Sequence, residues 1–191
     1  MQPKPTLLAF DTSAVHCAAA LLLNGQVVTR IDEMAKGQAE HLMPMLEEML
    51  AAADLTWADL DGIGVGIGPG NFTGIRISLG AARGLALGLG KPAIGVNGFD
   101  ARAFQEPLPF TATIPAPREQ SYAQAFTQNG ISPPEQCDTP AGPQKPAATL
   151  IAAIAYIAAA RLDDPVIRPA PLYIRSADAA PPRDPAPNIL P

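Results

Sequence analysis

The clearest structural signal in this chain lies at residues 62–80, which read G-I-G-V-G-I-G-P-G-N-F-T-G-I-R-I-S-L-G. From Gly62 to Gly68, glycine alternates with isoleucine or valine, which predicts a strand with one apolar face and one face without side chains. Interior glycines weaken a strand, so either a helix or a ligand must approach the bare face closely. Pro69, Gly70 and Asn71 end the strand, and a helix is expected from Phe72 or Thr73 to Leu89.

The predicted helix carries two kinds of stripe. One is apolar and predicts the buried side: Ile75, Leu79, Ala82, Ala86 and Leu89. Beside it lie Gly80, Gly84 and Gly88, each of which costs about 1 kcal/mol of helix propensity relative to alanine. Such a glycine ridge is tolerable where another backbone packs close. The sequence leaves two candidates for that neighbour, the glycine face of the sheet and a helix of a partner protein.

Further elements are predicted on both sides of this unit. Asn24-Gly25 is a strong hairpin signal, because a type I′ turn needs positive φ at both central residues. A helix is expected over Gln38 to Ala53, beginning near His41 so that Pro44 falls in its first turn. The predicted strands flanking these features are Thr6–Phe10, His16–Leu23, Gln26–Ile31 and Ala93–Val96. The resulting order, β-β-β-α-β-α-β, predicts an α/β fold with a mixed sheet, as in ribonuclease-H-like and actin-like proteins.

Composition changes near Phe104. Of the 22 prolines, 17 follow residue 106, whereas 14 of the 16 glycines lie in the first 100 residues. We therefore predict two domains, residues 1–104 and residues 105–191. In the second domain we expect strands at Phe110–Ile114 and Tyr122–Phe126, followed by a Pro-rich loop at Ile131–Pro146. An apolar helix is expected at Ala147–Leu162 and one more strand at Pro171–Arg175.

Charge and composition exclude several classes of protein. The chain has 13 Lys+Arg against 18 Asp+Glu, a net charge of −5, which argues against binding nucleic acid without a partner. Its two cysteines and two histidines show no metal-ligand spacing. The apolar run before Asp11 is too short for a secretory leader, and the 147–162 helix is too short to span a bilayer. A cytoplasmic protein with no membrane contact is expected.

Phosphate-binding templates fail when they are tested literally. Neither G-x-G-x-x-G nor the Walker pattern fits the glycine-rich stretch. An anion could still bind where the first strand and the glycine loop end, at Asp11, Thr12, Ser13, Gly68, Gly70 and Thr73. The alternative is a tight turn capped by Asn71. A two-metal nuclease needs several converging carboxylates, and no acidic residue lies between Asp61 and Asp100.

Several segments together resemble a known family. They are L-A-F-D-T-S at 8–13, H-L-M-P-M-L at 41–46, G-I-G-P-G-N-F-T-G-I-R-I-S-L-G at 66–80, G-L-A-L-G at 84–88 and I-G-V at 94–96. This combination resembles the TsaB (YeaZ) family of tRNA threonylcarbamoyladenosine biosynthesis proteins. Weaker similarity continues at Arg118–Phe126 and Pro171–Arg175. The resemblance implies an actin-like fold with one full lobe and a shortened, degenerate second lobe.

The same resemblance implies a function. Members of this family are non-catalytic scaffolds that pair with the catalytic subunit TsaD and, with the ATPase TsaE, support threonylcarbamoylation of adenosine 37 in tRNAs reading codons that begin with A. In the catalytic relative a His-x-x-x-His motif holds a metal. Gly98 and Arg102 stand at those positions here, and since glycine offers no ligand and arginine is a permanent cation, no metal is expected. The tRNA would be reached only through the complex, and a homodimer is possible for the free protein.

On this interpretation the helices at 41–53 and 73–89 form the partner interface. The predicted interface residues are His41, Met45, Met49, Arg76, Leu79, Gly80, Arg83 and Gly84. Arg76 and Arg83 lie on one helix face, where they either pair with partner carboxylates or remain solvated. No cofactor is required by this hypothesis. One alternative is a vestigial ATPase-like protein that binds ATP or ADP weakly; another, a glycoprotease-type metallopeptidase, is disfavoured because its metal ligands are missing.

Overall fold

Five strands form the first sheet of the computed structural model, which describes residues 4–165 and 167–174. Their order is β3-β2-β1-β4-β5, where β1 is Leu7–Asp11, β2 His16–Leu23, β3 Gln26–Glu33, β4 Gly62–Gly66 and β5 Ala93–Val96. β1, β4 and β5 are parallel, and β1, β2 and β3 form an antiparallel meander. Asn24 and Gly25 both have positive φ, 53° and 79°, so the predicted hairpin turn is confirmed. β4 ends two residues earlier than expected, at Gly66.

Two helices cover one face of this sheet. They are α1, Gln38–Ala52, and α2, Phe72–Leu89. The core between them and the sheet holds Leu8, Phe10, Ile63 and Val65 from the strands and Leu42, Met45, Leu46, Ile75 and Leu79 from the helices. The expected start of α1 near His41 is wrong, because the His41 amide already donates to the Gly37 carbonyl. Pro44 therefore lies inside the helix, where it forgoes one backbone hydrogen bond while the neighbouring apolar stripe stays buried.

A third long helix, α3, packs on the other face of the sheet, the one that carries the bare side of β4. It spans Ala147–Ala160, and its Ile151, Ile154 and Ala155 contact the core formed by Leu7, Ala9, Ala20 and Leu22. A Cβ atom added to Gly64 would lie 3.0 Å from the Cβ of Ala158, and one added to Gly62 would lie 2.5 Å from Leu162. The close neighbour predicted for the glycine face is therefore part of the same chain: α3 at Gly64, Leu162 just beyond α3 at Gly62, and Asp11 of β1 at Gly66.

The second sheet is antiparallel and built on β7. It contains β6, Phe110–Ala116, β7, Gln120–Thr127, and two short strands paired with β7, β8 at Gly130–Ile131 and β9 at Glu135–Cys137. The loop predicted from Ile131 to Pro146 thus contains strand residues, since backbone pairing with β7 compensates for their weak strand propensity. A small core of Phe99, Ala112, Ile114 and Phe126 supports this sheet.

A short helix that the sequence analysis missed connects the two sheets. It runs from Gly98 to Ala103 and is named the connecting helix below. Asn97 caps it, its side chain accepting from the amides of Phe99 and Asp100, and this Asn-x-x-Asp pattern was the available sequence signal.

The boundary predicted at residue 104 falls between the sheets, although α3 returns to the first sheet. The strand predicted at 171–175 is wrong over residues 171–174, where the chain pairs with no strand of the described residues, and Arg175 lies outside them. Within the described ranges no helix is long and apolar enough to cross a membrane.

Candidate functional site: a cleft between the sheets and an exposed helix face

A cleft opens where the parallel strands end. Its volume is about 550 Å³, and its walls come from the carboxyl ends of β1, β4 and β5 on one side and from the second sheet and the start of α3 on the other. The polar groups that line it include Asp11, Ser13, Arg102, Gln144 and Lys145. Ligands of open α/β sheets bind at this edge, so the cleft is the natural place for a small molecule.

Asp11 forms a tight local turn at the wall of the cleft. Its carboxylate accepts hydrogen bonds from the Ser13 amide, at 2.9 Å, and from the Ser13 hydroxyl, at 2.8 Å. Thr12 points the other way: it is fully buried, and its hydroxyl donates to the Gly74 carbonyl at 2.6 Å. Asp11 and Ser13 therefore reach the cleft, whereas Thr12 joins the β1–β2 loop to α2.

The glycine-rich loop is shaped by this contact between the β1–β2 loop and the start of α2. A Cβ atom on Gly74 would lie 1.9 Å from the Thr12 carbonyl oxygen, and one on Gly70 would lie 2.6 Å from that of Ser13. The side chain of Asn71 caps the helix by accepting a hydrogen bond from the Gly74 backbone amide at 2.8 Å. The backbone amide of Asn71 donates to the Ser13 carbonyl. The start of α2 is thus a turn capped by Asn71, and the backbone of the β1–β2 loop crosses close to it. Gly68 and Gly70 line the cleft, but Thr73 is exposed and does not.

Arg102 places a cation at the floor of the cleft. Its Nη1 donates to the Gly98 carbonyl at 3.0 Å, while Nε and Nη2 donate to Gln144 Oε1 at 3.2 and 3.0 Å. Burial lowers the pKa of Arg102, and the carboxylate of Asp11 partly opposes that effect. A Cβ atom on Gly98 would lie 3.2 Å from Arg102 Nη1. The guanidinium therefore fills the space beside Gly98, so that a cation stands at the two positions where the resemblance places metal-binding histidines.

The outer face of α2 is open. Gly80, Gly84 and Gly88 are exposed, and a Cβ atom on any of them would meet nothing within 4 Å in the described part of the chain. Leu87, on the same outer side, is 87% exposed. The glycine ridge therefore does not pack on the sheet, which removes one of the two neighbours that the sequence allowed.

Comparison with known proteins identifies the family. The family model for TsaD, described as tRNA N6-adenosine threonylcarbamoyltransferase, matches residues 31–171. A Haemophilus influenzae protein named tRNA threonylcarbamoyladenosine biosynthesis protein TsaB is 41% identical over 99 residues, and its Escherichia coli K12 namesake is 36% identical over 91 residues. The chain belongs to the TsaD family, in its TsaB (YeaZ) branch. These alignments cover 51% and 48% of this chain but only 42% and 39% of the two relatives, so the chain matches less than half the length of each.

Solved structures agree with this assignment. YeaZ from Pseudomonas aeruginosa has a TM-score of 0.69 at 26% identity, with 88% of this chain and 99% of that one covered. A second structure, of a protein with similarity to peptidase YEAZ from Pseudomonas aeruginosa, has a TM-score of 0.72 at 26% identity and covers 90% of this chain and 100% of that one. The fold is the actin-like α/β fold expected from the sequence.

The residues predicted for a TsaB-type interface fall into three groups. Met45, Met49 and Leu79 are at most 7% exposed, so their placement on a surface was wrong; the apolar stripes of α1 and α2 face the sheet, which takes these side chains into the core. His41 and Arg83 are partly buried and engaged: His41 Nε2 lies 2.7 Å from Asp32 Oδ2, and Arg83 Nε donates to the Pro169 carbonyl at 2.9 Å. Arg76, Gly80 and Gly84 are exposed on α2.

Two aromatic residues near this face were missed by the sequence analysis. Phe72 and Tyr173 stack with ring centroids 5.2 Å apart, although 101 positions separate them in the chain. The available signal for Phe72 was its place four residues before Arg76 in a chain with only 5% aromatic residues. Nothing local indicated Tyr173, because its contact depends on the path of the chain after α3.

Proposed function

We propose that this chain is a non-catalytic subunit of the machinery that makes threonylcarbamoyladenosine at position 37 of tRNAs reading codons that begin with A. It pairs with a TsaD-like catalytic subunit through the outer face of α1 and α2, and a TsaE-like ATPase acts on the resulting complex. The glycine ridge carries this proposal. Gly80 and Gly84 together cost α2 about 2 kcal/mol of helix propensity, and nothing in the described chain packs against them.

The spacing of the ridge indicates what packs there. Gly80, Gly84 and Gly88 follow each other at intervals of four, which is one of the two rows of side chains along which helices interdigitate. Glycine in such a row lets a second helix approach closely. A helix of the partner is therefore the neighbour that this face accommodates best, and a second copy of the chain would use the same face when no partner is present.

The cleft supports a scaffold rather than a catalyst. Arg102 stands at one of the two positions that would bear metal ligands and places a permanent cation beside the other, Gly98, which also disfavours the metallopeptidase alternative. The net charge of −5 supports contact with tRNA only through the partner, in the cytoplasm where tRNA is modified.

Size-exclusion chromatography with light scattering tests the pairing, using this protein with the TsaD-like subunit of the same organism. The wild-type chain should form a stoichiometric complex. Gly84→Leu should abolish that complex while raising the thermal midpoint, because the substitution removes about 1 kcal/mol of helix-propensity cost in open space. The matched control is Ala160→Leu, an enlargement at the exposed end of α3, which should leave the complex intact.

A gain in stability together with a loss of binding in Gly84→Leu would show that the variant disrupts the interface and not the fold. A Gly84→Leu variant that is stable and still forms the complex would show that α2 is not the docking face. Absence of any complex with the wild-type chain would contradict the proposed pairing itself.

A second candidate function is weak binding of ATP or ADP in the cleft. It is favoured by the position of the cavity at the carboxyl ends of the parallel strands, with Asp11, Ser13, Gly68 and Gly70 on its wall. Pairing with TsaD would not require this cofactor. Calorimetric titration with ATP and Mg²⁺ should give a saturable heat without turnover, and the absence of heat at millimolar nucleotide would exclude this candidate.

A further inference from the structure

Residues 167–174 cross back over α2 after α3 has ended, and we name them the strap. Backbone groups of the strap form hydrogen bonds with the first half of the chain at two places. The Leu172 amide donates to the Ile67 carbonyl at 2.8 Å, and the Pro169 carbonyl accepts from both Nε and Nη2 of Arg83. Arg83 is therefore used to hold the strap and is not offered to a partner.

The inner side of the strap is packed. Pro169 is buried, and a Cβ atom on Gly95 of β5 would lie 3.1 Å from its Cβ atom. Leu172 and Ile174 pack against the core that supports the second sheet. The strap thus belongs to the folded body and has a definite position relative to α2.

The outer side of the strap builds an exposed cluster with the first turns of α2, formed by Phe72, Arg76 and Tyr173. Phe72 and Tyr173 are stacked, and they are 41% and 38% exposed. The guanidinium carbon of Arg76 lies 3.8 Å above the centre of the Phe72 ring, and its Nε donates to the Tyr173 hydroxyl at 3.3 Å. Stacking and hydrogen bonding hold this exposed guanidinium in one orientation.

The two terminal nitrogens of Arg76 remain available. Neither Nη1 nor Nη2 has an acceptor among residues 4–165 and 167–174, and no carboxylate of these residues forms an ion pair with Arg76. A guanidinium fork with both Nη atoms free matches a carboxylate in a two-bond arrangement. Because Arg76 is already held in place, little side-chain entropy remains to be lost when it binds.

We propose that the strap makes Arg76 a specificity-determining residue of the docking face, and that the TsaD-like partner presents a carboxylate to it. This inference rests on the proposed function. Phe72, Arg76, Gly80 and Gly84 follow at intervals of four along α2, so the cluster continues the glycine ridge at its amino-terminal end. A partner helix that lies on the ridge can place an acidic side chain near one of its ends against Arg76. The unpaired positive charge of Arg76 then favours this partner over a partner with a basic or apolar residue at that position.

Isothermal titration of the wild-type chain with the TsaD-like subunit, repeated from about 0.05 to about 0.5 M salt, tests this proposal. Arg76→Gln should weaken binding about tenfold or more and should reduce its salt dependence, because a desolvated charge pair is lost. Arg76→Lys should recover part of the affinity, since it keeps the charge but not the fork. Tyr173→Phe keeps the ring stack and removes only the hydroxyl, so it should have a smaller effect, of about twofold to threefold.

Arg118→Asn is the matched control. It removes an exposed arginine from the turn between β6 and β7, where φ is 62°, and asparagine tolerates that backbone conformation. This variant should bind within about twofold of wild type. Thermal midpoints of all variants establish that each is folded.

The outcomes distinguish a failure of the carboxylate pairing from a failure of the proposed function. If the wild-type chain binds and Arg76→Gln binds equally well, or binds more weakly with unchanged salt dependence, the carboxylate pairing is overturned and the proposed function stands. If the folded wild-type chain forms no complex, the proposed function is overturned together with this inference.

Discussion

At the scale of single residues, neighbouring glycines of one motif do opposite things. Position 74 requires glycine because the Thr12 carbonyl packs against α2 there, and any side chain would collide with this backbone group. Gly80, six residues later in the same helix, faces open space. Glycine at the first position is needed for folding, while glycine at the second costs stability and points to a use outside the folded chain.

This contrast gives a paired prediction. Gly74→Ala should lower the free energy of unfolding by about 3 kcal/mol or more, because the added Cβ would lie 1.9 Å from the Thr12 oxygen. Gly80→Ala should raise the free energy of unfolding by about 1 kcal/mol through helix propensity alone. Urea denaturation of both variants measures the two effects, and equal destabilisation at both sites would contradict the open ridge.

A second residue-scale prediction concerns the two cysteines. Cys17 is fully buried, and burial, with smaller contributions from Asp32 and Asp11, raises the pKa of its thiol from 9.0 to about 11. Cys137 is partly exposed. At pH 8 a thiol reagent should modify Cys137 readily and Cys17 only after unfolding in urea. Cys137→Ser should therefore remove the fast reaction, and fast labelling that persists in this variant would contradict the buried position of Cys17.

The same shift has a consequence for stability at high pH. The folded protein holds the Cys17 proton more tightly than the unfolded chain does, so this contribution to stability is fully present below pH 9. It is lost as the pH rises through about 11. Cys17→Ala should reduce the loss of stability between those pH values, as measured by urea midpoints.

At the scale of elements, α2 shows how one helix serves two surfaces. Its inner stripe of Ile75, Leu79 and Ala82 is buried against the sheet, and its outer ridge is bare. The docking of α2 on the sheet therefore does not depend on the ridge residues. This independence is why Gly84→Leu and Arg76→Gln are expected to change partner binding while leaving the fold intact.

At the scale of the whole molecule, the first sheet depends on a helix from the far end of the chain. α3 covers the face that carries Leu7, Ala9 and Leu22 and lies against Gly64 of β4. A fragment of residues 1–104 would expose that face. We expect the fragment to bind a hydrophobic dye and to lose cooperative thermal unfolding, whereas the full chain unfolds in one transition.

The point variant Ala158→Asp is the companion test in the full chain. Ala158 is fully buried against Gly64, so an unpaired charge there should destabilise both lobes together by about 3 kcal/mol or more. Cooperative unfolding of the 1–104 fragment near the midpoint of the full chain would instead show that the two predicted domains fold independently.

Local patterns in the sequence located the five strands and two long helices of the first hundred residues, although they placed the start of α1 about three residues late and the end of β4 two residues late. The alternation in β4, the Asn24-Gly25 hairpin and the spacing of Ile75, Leu79 and Ala82 are local patterns. Each depends only on the backbone geometry of residues that are close in the chain, so it can be read from the sequence. The sequence also pointed to the family through the segment at 66–80. It did not reveal the connecting helix or the short strands paired with β7, whose residues carry weak propensities.

Which surfaces are covered and which are open is a property of the folded chain. The structure showed that α3 packs against Gly64 of β4, that Met45 and Leu79 are core residues, and that the glycine ridge of α2 is exposed. It also brought Tyr173 to Phe72 and Arg76, and Pro169 to Arg83. The physical reason is that burial depends on contacts between segments far apart in the chain, which no local pattern of residues records.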